Sequence, residues 1–501
     1  MQIVKKPLSL IETVALGYLY IPIIIFMLSW LKLWLSIPVA LLVLFSLYKI
    51  LFDKELSADS SRIKMTPSVI LYSVISFAVI LIMSYLLGMG GFTEQPYDAT
   101  KHNFILKDLI EHHWPVRFEA NGTKGVLCYY IAGYIVPALF GKMTSRFEAA
   151  SDFSVIWYAA GLLLVVLILY KTLANKNGKG KPLYILILLF VVLLFAPFNA
   201  LMQFICIYLY PDQPIASVHW ISDNINVSFV SNLTSLRYVY PQFVPSLIVT
   251  ALLFRLRRNY KFWAFLVAPL IAFSVFSFIG MTGLMLILFI LDLIKEKSVK
   301  TSLRSIISIE NISGIISAIL FLLYLAGNIM QTKPASAKIG LSLVDYGQFP
   351  LVLLLQELSW GLWILFLFKA NKKEPILYAA SICLFVFPFL ELGRFNDLCS
   401  RGSMPALICL CILVGKTLID VLGRTQKRIL SLTALIIALL LSGTFFMSAE
   451  IHLPDTGKGI MTPEYNWWGI DSSIDFYTMN DWTRYQYVNW EENSLSNFIL
   501  N

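Results

Sequence analysis

Long apolar stretches alternate with short polar loops along almost the whole chain. Runs such as 37–52, 185–198 and 432–446 are dominated by apolar residues, and many runs reach the ~20 residues that an α-helix needs to cross a bilayer. The pattern predicts an all-α polytopic membrane protein with about thirteen transmembrane helices. The predicted spans are 13–31, 33–51, 67–87, 153–172, 183–208, 236–255, 262–277, 279–294, 311–330, 347–369, 376–392, 404–422 and 429–448.

The positions of the charges predict how these spans are oriented. About two thirds of the 39 Lys and Arg residues lie in clusters at every second loop, which the positive-inside rule assigns to the cytoplasmic side. The clusters are 5–6, 49–64, 171–181, 255–261, 295–304, 369–373 and 416–428. We therefore expect a multi-pass protein of a bacterial cytoplasmic membrane, with its N-terminus inside and its C-terminus outside.

Basic loops alternate with external loops only if two apolar segments are not counted as ordinary single spans. The apolar segment 126–141 contains Pro137 and is short, so we interpret it as a juxtamembrane helix at the outer interface. The region 88–152 then becomes one large external loop. The region 262–294 is predicted to be a tight pair of short helices, because both of its flanks are basic.

Composition excludes most other classes of protein. Hydrophobic residues make up 58% of the chain and charged residues 14%, against about 25% charged residues in soluble proteins. The net charge of +9 is explained by topology, so no nucleic-acid partner is expected. We see no P-loop and no dinucleotide fingerprint.

The external loop contains an amphipathic helix that begins after Asp98. His102, Ile105, Leu106, Leu109, Ile110 and His113 share one helical face. Asp108 and Glu111 lie off this face and are interpreted as solvated. The helix is predicted to rest on the membrane surface or on other helices, and to end before Trp114-Pro115.

Asp98 has two compatible interpretations. It is either an N-cap whose carboxylate accepts amide hydrogen bonds, or a general base that takes a proton from an acceptor hydroxyl. Glu94 is a weaker alternative base.

The region of about 67–260 resembles the type C integral-membrane glycosyltransferases. The resemblance begins with a helix that enters a large external loop and an acidic residue near the start of that loop. A surface helix follows, and then a proline-bearing segment that ends with Phe140-Gly141-Lys142 and Ser145-Arg146-Phe147. A return helix completes the pattern. It implies a polyprenyl-phosphate-linked sugar donor and a catalytic base, for which Asp98 is the best match. Two spans precede the entering helix, unlike the usual family pattern. No Asp-Asp pair of the metal-dependent members is present, so we assign no metal.

A lipid-phosphate donor requires cations that hold its phosphate. The predicted phosphate-binding residues are Arg401, Arg394, Arg237 and Lys101. The predicted substrate-binding residues are His102, Gln242, Asn396, Asp397 and Glu357. For each arginine the alternative is an interfacial side chain that reaches lipid headgroups. Glu357 lies within an apolar run, and the alternative interpretation of this residue is a protonated or hydrogen-bonded packing residue.

The last segment, 450–501, differs in composition from the rest. It holds eight acidic residues, two basic residues and ten aromatic residues, four of them Trp. We treat it as an external tail after a transmembrane glycosyltransferase-like domain over 1–449, and expect it to fold back onto the external loops. Its aromatics are suited to stacking on sugars or to anchoring at the interface.

The resulting hypothesis is an inverting glycosyltransferase for cell-envelope glycan or glycoconjugate assembly. Its partners are a polyprenyl-phosphate sugar, membrane lipids, and a glycan, lipid or protein acceptor. No cofactor is expected, since nothing in the sequence supports a divalent cation. The alternatives are a polysaccharide polymerase or lipid-oligosaccharide ligase and, third, a lipid-linked sugar flippase or transporter.

Overall fold

The structure is a computed structural model of the 501-residue chain. It describes residues 9–53, 63–120, 122–174, 180–212, 227–295, 304–329, 341–347, 349–393, 396–423, 429–450, 469–490 and 498–501.

Helices dominate the described residues. They are α1 (Leu10–Trp30), α2 (Leu33–Leu51), α3 (Pro67–Leu86), α4 (Ala99–Glu111), α5 (Ala132–Thr144), α6 (Phe147–Leu169), α7 (Tyr184–Leu194), α8 (Asn199–Leu209), α9 (Asn232–Tyr238), α10 (Tyr240–Leu256), α11 (Trp263–Val267), α12 (Leu270–Phe273), α13 (Val275–Lys295), α14 (Ile309–Ile329), α15 (Pro350–Asn371), α16 (Pro375–Val386), α17 (Met404–Leu422), α18 (Ile429–Glu450), α19 (Ser473–Thr478) and α20 (Asp481–Tyr487). Short strands are β1 (Arg117–Ala120), β2 (Thr123–Leu127), β3 (Ser342–Leu343), β4 (Leu390–Glu391) and β5 (Val488–Asn489).

The all-α polytopic prediction is confirmed. Within the described ranges, nine helical segments are long and apolar enough to cross a membrane, and four further apolar segments are shorter. Each of the thirteen predicted spans coincides with one of these segments. How many of them cross the membrane stays a prediction.

Ion pairs gather at one end of the helix bundle, here called the basic end, where Lys49, Lys171, Arg255, Arg257 and Lys416 lie. Each of these cations meets a carboxylate from a different part of the chain. The pairs include Lys171–Glu12 (2.5 Å), Arg255–Glu12 (3.2 Å), Arg257–Asp292 (2.8 Å), Lys49–Glu310 (2.8 Å) and Lys416–Glu374 (2.7 Å). Alternate loops therefore meet at one end. The side of the membrane that this end faces stays a prediction.

The opposite end, here called the loop end, carries α4, α5 and the β1–β2 hairpin. Helix α4 ends at Glu111, before Trp114-Pro115 as predicted but short of His113, which the predicted helical face included. The Lys142 ammonium of α5 donates to the carbonyls of Ile110 (3.1 Å) and His112 (2.6 Å) at the C-terminus of α4. Helix α5 has 13 residues and is therefore about 20 Å long. That is too short for the ~30 Å hydrocarbon core of a bilayer, in agreement with the juxtamembrane interpretation of 126–141.

The prediction of two short helices over 262–294 is wrong for the second helix. Helices α11 and α12 are short, but α13 runs for 21 residues. The break comes at Ser274, whose extended backbone ends α12. It falls earlier than hydropathy indicates, because residues on both sides of Ser274 are apolar.

The C-terminal segment folds back onto the loop end, as expected. Strand β5 pairs with β2, which itself pairs with β1, so the three strands form one antiparallel sheet. The hydroxyls of Ser473 (2.8 Å) and Tyr477 (2.9 Å) donate to the Asp108 carboxylate. The prediction that Asp108 is solvated is therefore wrong. The tail covers its carboxylate, which is only 2% exposed.

We predict that this tail contact is tighter at acidic pH. Burial raises the pKa of the Asp108 carboxyl to about 6, against the lowering effect of the Ser473 and Tyr477 hydrogen bonds. Because the docked state favours the protonated acid, docking is strongest below the ordinary Asp pKa of about 4, weakens as the pH rises from about 4 to about 6, and changes little above that. His112 and Glu111 are the ionisable groups of α4 and its C-terminus that act on this carboxyl. Hydrogen exchange of α19 should become roughly 10- to 100-fold faster between pH 4 and pH 8, after correction for the intrinsic rate.

Asp108→Asn is the matched control, since it keeps the shape and cannot ionise. It should remove this pH dependence and leave α19 protected at pH 8. A pH dependence that persists in Asp108→Asn would assign the effect to another group.

Candidate active site at the loop end

A glycine turn after α3 brings Asp98 to its position. Gly88 has φ +78°, and a Cβ atom there would lie 2.5 Å from the Glu94 carbonyl oxygen, so only glycine fits. The chain then doubles back, and the Pro96 carbonyl accepts from the Ala99 amide (2.8 Å) where α4 begins. Asp98 thus stands at the N-terminal end of α4.

Asp98 pairs with Lys101. The carboxylate lies 2.7 Å from the Lys101 ammonium, and the Asp98 side chain makes no capping hydrogen bond to α4. Asp98 therefore occupies the N-cap position of α4, but without the amide hydrogen bonds that the N-cap interpretation predicted. The Asp98 side chain is 32% exposed and that of Lys101 is 6% exposed. An acceptor hydroxyl in the solvent therefore has access to the carboxylate.

Arg401 projects from a π-helical turn, Leu398–Gly402, just before α17. Its guanidinium donates to the Tyr130 hydroxyl (3.2 Å) and lies 3.3 Å from the Asp397 carboxylate. Asn396, at φ +46°, shapes the turn. Its side chain accepts from the Cys399 amide (3.2 Å) and donates to the Leu390 carbonyl (3.0 Å). Asn396 and Asp397 therefore position Arg401.

Gln242 links Tyr130 to the start of α13. Its amide donates to the Tyr130 hydroxyl (3.4 Å) and its carbonyl oxygen accepts from Ser274 (3.2 Å). Helix α13 approaches the turn closely, since a Cβ atom at Gly280 would lie 1.8 Å from the Gly402 carbonyl oxygen. Tyr130 is thus a shared acceptor for Arg401 and Gln242.

The charges of this cluster act on one another. Burial raises the pKa of the Asp98 carboxyl, but the charges of Lys101 and Arg401 outweigh burial and hold this pKa below its ordinary value. Burial lowers the pKa of the Lys101 ammonium, and the Asp98 charge offsets part of that effect. Asp98 is consequently ionised at neutral pH, and part of its charge is balanced by Lys101 and Arg401.

His102 has both ring nitrogens engaged within the protein. Nε2 donates to the Tyr238 carbonyl (2.8 Å), so Nδ1 is the acceptor for the Tyr134 hydroxyl at 2.5 Å. Burial and the Lys101 charge lower the pKa of His102 to about 3, so the ring is neutral. These bonds leave neither nitrogen for a substrate, and we assign His102 a positioning role.

Three predicted site residues lie in other parts of the chain. Arg237 is buried in the last turn of α9, with its guanidinium 5.9 Å from the Tyr238 ring. Glu357 lies in α15, where its carboxylate accepts from the Trp360 indole (2.9 Å). Arg394 lies outside the described residues.

Two tyrosines belong to the site although the sequence reasoning did not select them. Tyr130 binds Arg401 directly. Tyr487, from the tail, is close enough to Asp98 and Arg401 to interact with them electrostatically, and its carbonyl accepts from the Cys128 amide (2.8 Å). The tail's aromatic content was a signal, but it did not indicate which ring reaches the site.

No protein-family model, curated protein or solved structure matches the chain. The chemistry of the cluster therefore has to be inferred from its groups. Asp98 is an accessible carboxylate beside two cations, a combination suited to proton acceptance next to a bound anion. Within the described residues, no group of three or more His, Cys, Asp or Glu side chains is arranged to hold a metal ion.

Proposed function

We propose that this protein is a membrane glycosyltransferase that moves a sugar from a polyprenyl-phosphate donor to an acceptor hydroxyl. The observation that carries the proposal is the accessible Asp98 carboxylate, paired with Lys101 and within electrostatic range of Arg401, at the loop end of an apolar helix bundle. By the positive-inside rule, this end faces outward. A donor held in the bilayer by its polyprenyl chain would reach this end with its phosphate and sugar.

The residues present account for each part of the reaction. The acceptor oxygen attacks the anomeric carbon, and the bond from that carbon to the phosphate oxygen breaks. The acceptor proton passes to Asp98, while the bonding electrons leave with the polyprenyl phosphate. The leaving group gains one negative charge, which Lys101 and Arg401 stabilise. Attack opposite the leaving group inverts the anomeric centre.

Donor binding also activates the base. In the free protein Asp98 shares its charge with Lys101 at 2.7 Å and with Arg401. A donor phosphate competes for the same two cations. As they turn to the phosphate, the carboxylate loses part of its stabilisation and its proton affinity rises. The base therefore becomes effective when the donor is in place.

A polysaccharide polymerase or lipid-oligosaccharide ligase is the second candidate. Arg401 lies in a late loop with Asp397 and Asn396, and external arginines in such loops suit a diphosphate-linked glycan. This candidate needs Arg401 but not Asp98.

Lipid binding by the purified protein tests the proposal. Native mass spectrometry in mild detergent, with decaprenyl phosphate and decaprenyl-phosphate sugars added at equal concentration, should show one bound lipid phosphate per protein. Proteoliposomes containing a radiolabelled decaprenyl-phosphate sugar should then transfer label to an added acceptor. Retention of only a diphosphate-linked oligosaccharide would favour the polymerase or ligase. Binding of bulk phospholipid alone would contradict both candidates.

A further inference from the structure

A groove of about 440 Å³ lies at the loop end, where the last turns of α4 meet the end of α5 and the start of α6. Its volume is within the ~300–1,000 Å³ that is usual for small-molecule sites. The groove is separate from the Asp98 cluster, because its first lining residue lies about 14 Å further along α4. Two ammonium groups, one carboxylate, one hydroxyl and two apolar side chains line it, from Lys107, Ile110, Glu111, Lys142, Ser145 and Phe147.

Two opposite charges on α4 are available to a ligand in this groove. Lys107 and Glu111 are one helical turn apart, so their Cβ atoms are about 5–6 Å from each other. Within the described part of the chain, neither side chain forms an ion pair or a hydrogen bond, whereas Asp98 and Asp108 on the same helix both have partners. The groove therefore presents a positive and a negative group side by side.

The side of the groove that belongs to α5 and α6 is suited to a phosphate. The Lys142 ammonium has three N–H donors, and two carbonyls at the end of α4 occupy two of them. Ser145 adds an exposed hydroxyl at φ +53°. Phe147 is the first residue of α6, a helix of 23 residues, and the N-terminus of a helix attracts anions. Together with Lys107, these groups form an anion site.

The surroundings of the groove indicate an amphiphilic ligand. Helix α5 exposes two large apolar side chains one turn apart, Met143 at 83% and Phe140 at 37%. Such exposure on a helix too short to span the bilayer is typical of a helix that lies at the membrane interface. Ile110 and Phe147 add apolar lining to the groove itself. A molecule bound there has its polar part in the groove and its apolar part beside α5.

We propose that this groove binds the headgroup of phosphatidylethanolamine from the surrounding leaflet. The lipid phosphate binds Lys107, Lys142 and the start of α6, and the ethanolamine ammonium donates to Glu111. The glycerol backbone packs on Phe147, and the acyl chains continue into the membrane beside Met143. A simple anion would leave Glu111 facing a like charge, whereas a zwitterion pairs with both charges of α4. The inference does not depend on the proposed function, because it concerns a different groove and a different lipid.

Lipid titrations by native mass spectrometry test this site. The probes are dioleoyl phosphatidylethanolamine, phosphatidylcholine and phosphatidylglycerol, each added to delipidated protein in mild detergent. We expect wild type to prefer phosphatidylethanolamine over phosphatidylcholine by roughly three- to tenfold, since the choline nitrogen has no N–H to donate. Glu111→Gln should abolish this preference. Lys107→Met should weaken phosphatidylethanolamine binding by roughly three- to tenfold.

The matched controls are Lys124→Met and Glu119→Gln, on the β1–β2 hairpin. Both residues are exposed at the same end of the protein and do not line the groove, so these variants should bind phosphatidylethanolamine as wild type does. Both groove variants should keep the melting temperature of the delipidated protein, because neither side chain has a partner to lose within the described residues. Equal affinities of wild type for phosphatidylethanolamine and phosphatidylcholine, or tighter binding of phosphatidylglycerol, would overturn the inference.

Bare decaprenyl phosphate separates this groove from the proposed donor site. Its affinity should be the same in Lys107→Met and in wild type. If Lys107→Met weakens decaprenyl phosphate as much as it weakens phosphatidylethanolamine, the groove belongs to the donor site and the inference is wrong. If wild type binds phosphatidylethanolamine as expected but no decaprenyl phosphate, the proposed function fails and this site stands.

Discussion

Replacing Asp98 with Asn should reduce sugar transfer by roughly 10²- to 10⁴-fold, the usual contribution of a general base. Asparagine keeps the size of the side chain but cannot accept the acceptor proton. Binding of the donor should be retained or become tighter, because Asp98 no longer competes with the phosphate for Lys101 and Arg401. Transfer rates in proteoliposomes and lipid binding by native mass spectrometry, measured on the same preparation, check both parts.

The control for this prediction concerns Lys101. Asp98→Asn leaves a lysine that is only 6% exposed without its ion-pair partner, and this alone destabilises a protein. The double variant Asp98→Asn/Lys101→Met removes both charges. It should recover the melting temperature lost in the single variant and remain inactive. Transfer at the wild-type rate by a correctly inserted Asp98→Asn would show that Asp98 is not the base.

Replacing Arg401 with Met should weaken binding of decaprenyl phosphate and slow sugar transfer. The product of the two effects should be a loss of roughly 10²- to 10³-fold. The guanidinium is one of two cations beside Asp98, and loss of one preorganised donor to a developing charge has an effect of this size. The loss should appear in the affinity for bare lipid phosphate as well as in the rate, since in the proposed function Arg401 binds the phosphate. A titration with decaprenyl phosphate measures the first effect.

Asp397→Asn and Tyr130→Phe are the matched controls, because each removes one contact of Arg401 and leaves its charge. Both should lower the transfer rate by less than Arg401→Met does. Unchanged affinity of Arg401→Met for bare decaprenyl phosphate would remove Arg401 from the phosphate site. In that case Lys101 and Arg237 would be the next of the predicted phosphate-binding residues to test within the described part of the chain.

The helices could be predicted because the signals that produce them are local. A run of apolar residues, the stripe of α4 and the basic clusters are each readable within a short window of sequence. The ion pairs at the basic end agree with the alternation that the clusters indicate, since Glu12 meets both Lys171 and Arg255. Asp98 could be selected for a similar reason, as an acidic residue at the start of a predicted helix in a long loop.

The break at Ser274 shows where local signals fail. The residues next to it, Phe273 and Val275, are apolar and belong to longer apolar stretches, so hydropathy does not locate the end of α12. Asp108 is a second example. Its position off the apolar stripe predicts a solvated side chain, but Ser473 and Tyr477 from the far end of the chain cover it.

The sequence by itself determined the class of protein, the approximate positions of its spans, the helix at the loop end and the choice of Asp98. The tertiary structure alone decided which groups meet there: Arg401 within electrostatic range of Asp98, Tyr130 bonded to Arg401, and Tyr487 from the tail. The physical reason is the range of the forces. Helix formation and membrane insertion depend on neighbours in sequence, whereas the pairing of charges and the burial of polar atoms depend on neighbours in space.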